Sequence, residues 1–98
     1  MRRARRELSS ALASLSDAGE VDRALDELFT PAELSDVLLR WRLMQLLQDG
    51  MPQRAIAEKL GISLCKITRG SRLLKTPSAV VKQLLSHKLE GIENENNC

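Results

Sequence analysis

Between Gln53 and Lys75 the chain reads QRAIAEKLGISLCKITRGSRLLK, and its charge is lopsided. Arg54, Lys59, Lys66, Arg69, Arg72 and Lys75 stand against Glu58 alone, a net +5. Cations at this density suit the neutralisation of phosphate oxygens on a polyanion. A solvated helix face is the plainer alternative. The remaining reactive side chains assemble into no other chemistry. His87 has no evident partner, and Cys65 and Cys98 lie too far apart for a disulfide framework or a metal motif. There is no paired acid and base, metal cluster or phosphate loop, so an enzyme is not expected.

Hydrophobic spacing says how this segment is positioned. Two short helices, 53–60 and 64–74, meet at Gly61, which can adopt the left-handed conformation of a tight turn. Ile56, Leu60, Ile62 and Ile67 supply apolar contacts, and Ala57 is the small residue that lets the helices approach. This is the pattern of a helix-turn-helix; a helical hairpin that merely packs is the competing reading. In a helix-turn-helix the second helix enters the major groove with its N-terminal residues against base edges. That nominates Leu64, Cys65 and Lys66, with Thr68 on the flank. Leu64 suits a thymine methyl, and Lys66 a guanine edge or a phosphate. Arg54 is placed for a guanine or the backbone, while Gln53 and Lys75 suit phosphates, which position without specifying.

Gly70 breaks the pattern, because such helices usually carry a large apolar residue there. A mid-helix glycine costs roughly 1 kcal/mol of propensity. Two readings stay open. The glycine leaves a gap beside Arg69 and Thr68, a seat for a small, flat, anionic ligand, or it lets two helices pack closely.

The rest of the chain must carry this segment. Ninety-eight residues make one small domain; apolar residues are 43% and aromatics 2%. Without alternating strand patterns, this composition predicts an all-α fold. No apolar run approaches the roughly 18 residues of a membrane span. The basic start MRRARRELSS lacks the apolar stretch of a signal peptide, and a cytoplasmic location is expected. Residues 1–16 hold four Arg against Glu7, and residues 17–49 hold three basic against eight acidic residues. Helical periodicity runs from Glu7 to Leu15 and from about Val21 to Leu28. Thr30-Pro31-Ala32-Glu33 is a capping box that opens a third helix. Its apolar residues from Leu34 to Leu47 cover most of the circumference, so it must be buried nearly all round. Two interwound chains achieve this; a central helix in a monomeric bundle is the alternative. A last helix starts near Thr76-Pro77-Ser78 and ends at Gly91.

ITRGSRLLK, with the preceding QRAIAEKLG and the upstream FTPAELSDVLLRWR, resembles the tryptophan repressor family over about residues 25–85. The resemblance implies an intertwined, all-helical homodimer that represses transcription when L-tryptophan binds as corepressor, with no prosthetic group. Its partners would be double-stranded palindromic operator DNA, tryptophan and a second copy. The domain layout becomes a basic arm and the start of the first helix at 1–16, a repressor-like helical domain at 17–91 with its helix-turn-helix at 53–75, and a disordered tail at 92–98. By the same resemblance the indole lies against Gly70, flanked by Arg40 and Arg69, whose guanidinium groups approach the ligand carboxylate. Thr30 donates a hydroxyl to that carboxylate. Backbone carbonyls around Glu27 and Phe29 of the other chain meet the ammonium group. Two departures stand out. Leu73 replaces the family's Ser, a residue that helps hold the ammonium group. A shortened segment after Arg40 makes Arg42 a rival for its place. A constitutive helix-turn-helix regulator and a helical protein-interaction module remain the alternatives.

Overall fold

The computed structural model describes residues 1–87. Among them are six helices and no strand: α1 (Arg2–Ala13), α2 (Ala18–Leu28), α3 (Pro31–Gln48), α4 (Gln53–Leu60), α5 (Leu64–Leu74) and α6 (Val80–Ser86). The all-helical class predicted from composition is the class observed. The chain divides into two compact units, Met1–Leu38 and a second beginning at Leu39. The last helix, expected from Thr76-Pro77-Ser78 to Gly91, is shorter: α6 begins at Val80 and ends at Ser86, where His87 turns to an extended backbone. The tail at 92–98 lies outside the described residues.

In the first unit, α1 starts well before the apolar periodicity that begins at Glu7. Arginine and alanine are good helix formers, and the Arg5 amide donates to the Met1 carbonyl at 2.9 Å. The arginines of residues 2–6 therefore ride on a helix. Helix α2 also starts early, at Ala18. The Asp17 carboxylate accepts from the Glu20 amide at 3.2 Å, a cap that offsets the cost of Gly19 in the first turn. The capping box of α3 closes in both directions. Glu33 N donates to Thr30 Oγ1 at 3.2 Å, and Thr30 N donates to Glu33 Oε1 at 3.0 Å. Despite this local order, no residue of Met1–Leu38 is buried. Leu8, Val37, Leu38 and Leu28 are 41% to 53% exposed. Capped helices without a core hold together only weakly, because most helical stability comes from packing.

The second unit has the core. Leu43, Ile56 and Ile67, from α3, α4 and α5, are almost completely buried. Leu46, Leu47, Met51, Ala57, Leu60 and Ile62 pack around them. Burying each large aliphatic side chain contributes about 1.5–3 kcal/mol. The chain reaches this arrangement through two left-handed glycines. Gly50 (φ 88°) follows α3, and Gly61 (φ 67°) ends α4 with its amide on the Ala57 carbonyl at 2.8 Å. The Ser63 hydroxyl then accepts from the Lys66 amide and opens α5.

Gly61 is a test of this turn. A Cβ there would meet nothing within 4 Å, so any penalty is purely conformational. Gly61→Ala is expected to lower stability by about 1–2 kcal/mol, with a smaller loss for Gly61→Asn. Urea unfolding should show a reduced midpoint at unchanged slope.

Candidate nucleic-acid interface and ligand seat

The exposed start of α5 is held from behind by the buried Ile67 and at its tip by Ser63. Leu64 (44% exposed), Cys65 and Lys66 are therefore fixed in position and open to solvent. Thr68 is half-buried, and its hydroxyl donates to the Leu64 carbonyl at 2.9 Å. The hydroxyl can accept a further hydrogen bond, but its proton is engaged within the helix. Gln53 and Arg54 form the exposed first turn of α4, and Lys75 is the exposed cap of α5. The positions nominated from the sequence thus fall at the two helix starts and at the end of α5. Among the described residues the one ion pair is Arg3–Glu7, so the cations of α4 and α5 are not neutralised by carboxylates within that part of the chain.

Behind α5, Gly70 is buried, and the expected gap is filled. A Cβ built on it would lie 3.0 Å from Met44 Sδ, 3.1 Å from Leu47 Cδ1 and 3.7 Å from Leu43 Cδ2. The glycine lets α5 approach α3 closely, the second of its two readings. The atoms that fill the space belong to flexible side chains, a thioether and a leucine tip. Nothing in the residue pattern singles out Met44 and Leu47 for this role, because α3 is apolar on nearly every face.

Helix geometry separates the two candidate arginines. Arg40, Leu43, Met44 and Leu47 are spaced i, i+3, i+4, i+7 and share one face of α3. Arg40 therefore continues, one turn earlier, the stripe that packs against Gly70. Arg42 lies on another face, where its Nη1 donates to Gln45 Oε1 at 2.6 Å. Arg69, adjacent to Gly70 on α5, is exposed, as is Arg40. Leu73, one turn after Arg69, is 44% exposed. In the first unit, Thr30 and Glu27 are exposed, and Phe29, the half-buried cap of α2, lies between them. The Thr30 hydroxyl accepts the Glu33 amide, which leaves its proton available to an acceptor.

Residues 4–89 match the family model described as Trp repressor protein. The chain belongs to the Trp repressor family. Relatives named Trp operon repressor homolog are similar over most of its length. That of Chlamydia trachomatis serovar L2 is 33% identical over 84 residues, covering 81% of this chain and 89% of its own. That of Vibrio vulnificus is 38% identical over 71 residues, covering 71% of this chain and 70% of its own. That of Pasteurella multocida is 42% identical over 59 residues, 59% of this chain and 58% of its own. No solved structure matches significantly. The Trp repressor family is one of transcription regulators rather than enzymes. No helix among the described residues is long and apolar enough to cross a membrane.

The packing of Gly70 against α3 has a measurable signature. In Gly70→Ala the new methyl must displace the Met44 sulfur, against a helix-propensity gain of roughly 1 kcal/mol. In a Met44→Ala background the clash with the sulfur disappears and the gain remains, with only the Leu47 tip at 3.1 Å left to give way. The two substitutions should therefore couple favourably by at least about 0.5 kcal/mol in a double-mutant cycle from chemical unfolding. Additive effects would contradict the close approach.

Proposed function

We propose that this chain is a transcriptional repressor whose sequence-specific binding to double-stranded DNA is switched on by L-tryptophan, at genes of tryptophan biosynthesis or salvage. The observation that carries the reading is the placement of Arg40 and Arg69. Arg40 extends the α3 stripe that backs Gly70, and Arg69 neighbours Gly70 on α5. Neither is in an ion pair among the described residues. Two guanidinium groups suit both an indole face and a carboxylate, by cation–π and charge-assisted contacts. The seat requires the flexible tips of Met44 and Leu47 to move aside from Gly70. Thr30, through its remaining hydroxyl proton, is proposed as a further donor to the carboxylate. Backbone carbonyls of Glu27 and Phe29 from a second copy are proposed for the ammonium group. Leu73 supplies no side-chain oxygen for it, so the ammonium group depends on backbone acceptors alone.

The seat lies directly behind the helix whose first turn carries Leu64, Cys65 and Lys66. A ligand that wedges α5 against α3 fixes how that turn is presented to a major groove, with Thr68 on its flank. Gln53, Arg54 and Lys75 supply backbone and edge contacts around it. A homodimer supplies two such helices and the twofold symmetry of a palindromic operator. The exposed Leu8, Leu28, Val37 and Leu38 of a unit without buried residues support that assembly. Linkage then requires the operator to tighten tryptophan binding by the factor with which tryptophan tightens operator binding.

Fluorescence anisotropy on DNA from upstream of the protein's own gene, with and without L-tryptophan at fixed salt, tests the proposal. A sequence-specific gain with tryptophan, abolished in Arg69→Ala, is the expected result. Tight specific binding that ignores tryptophan would point instead to a constitutive regulator.

A further inference from the structure

Two helical stripes meet at Gly70. Arg40, Leu43, Met44 and Leu47 form one on α3. Lys66, Arg69, Gly70 and Leu73, at i, i+3, i+4, i+7, form the other on α5. Three of these residues are cations, and apart from the glycine the rest are apolar. None offers a carboxylate, hydroxyl or amide to a positively charged group. The shortage extends along both helices: α5 has no acidic residue anywhere, and α3 has none after Asp36. Nor is any of the three cations in an ion pair among the described residues. Leu73 stands at the open edge of the α5 stripe, 44% exposed, one turn beyond Arg69. Its isobutyl group can cover a methylene but cannot accept a hydrogen bond.

We propose that Leu73 makes the seat behind α5 selective for indole carboxylates that lack an ammonium group, so that such an acid binds more tightly than L-tryptophan and displaces it. This selectivity rests on the reading of the seat as a tryptophan site. In either ligand Arg40 and Arg69 serve the ring face and the carboxylate. The two ligands differ at one group. An ammonium group adds a like charge beside two guanidinium groups, and it gives up hydration that no side chain of the two stripes replaces. A methylene in its place leaves the ligand a net anion among cations and packs on Leu73. Backbone carbonyls from a second copy would offset the cost of the ammonium group only in part, because a neutral acceptor does not cancel a charge.

Isothermal titration calorimetry of the full-length protein tests the proposal, with L-tryptophan and with indole-3-propionate, which is tryptophan without its amino group. The wild type should bind indole-3-propionate at least about tenfold more tightly. Leu73→Ser supplies a side-chain acceptor at this edge. It should narrow the ratio of the two dissociation constants by about tenfold, mainly through tighter binding of tryptophan. In Leu73→Ala, which gains no acceptor, the narrowing should be smaller. Far-UV circular dichroism should show both variants as helical as the wild type. Arg69→Ala should lose both ligands, which places the propionate in this seat and not on a basic face elsewhere. Equal or tighter binding of tryptophan by the wild type overturns the proposal. So does a ratio that Leu73→Ser leaves unchanged, or propionate binding that survives Arg69→Ala. If tryptophan binds in any of these cases, the tryptophan reading stands and the selectivity falls. If the wild type binds neither ligand, both fall.

Discussion

The shortage of buried apolar surface is the constraint on which this architecture turns. Among the described residues the buried hydrophobic side chains are Leu43, Met44, Ile56 and Ile67, all within the unit that begins at Leu39. They clamp three helices together and leave α1, α2 and the first half of α3 without a core, although side chains cap the starts of α2 and α3. A small domain is marginal in the best case, because little of its surface is removed from water on folding. The proposed second copy answers that shortage. It would supply the missing surface for Leu8, Leu28, Val37 and Leu38, and would bring a second α5 at the same time.

Within the core-bearing unit, structural and functional demands fall on the same atoms. Ile67 holds α5 to the body, Gly70 sets how near it lies to α3, and Arg69 stands between them in sequence. Met44 and Leu47 are both packing residues and the movable floor of the proposed seat. In the proposed mechanism a ligand there would act on α5 without touching the residues that would face DNA, which would keep gating and reading separate. Binding energy gained behind the helix reaches the groove only as a change in how the first turn of α5 is presented.

Legibility from sequence follows the range of each interaction. The α3 capping box and the α4–Gly61–α5 turn are readable, since Thr30, Glu33, Gly61 and the Ile spacing act within a few residues. Asp17 lies in a stretch that interrupts the apolar pattern, yet it is a cap that starts α2 three residues before Val21. Apolar periodicity also misses the start of α1, because arginines carry helix propensity without carrying a pattern. The filling behind Gly70 is not readable at all. It depends on which face of α3 meets α5, and a helix apolar nearly all round offers no stripe to choose by. Once that face is known, the spacing puts Arg40 on it and Arg42 on another.

If the first unit acquires its core only by association with a second copy, folding and assembly must be one process. Thermal unfolding followed across a wide range of chain concentrations, alongside sedimentation equilibrium, measures that coupling. A dimer whose melting temperature rises with concentration is the predicted result, because association stabilises the folded state by mass action. A monomer with a sharp, concentration-independent transition that includes α1 and α2 would contradict it.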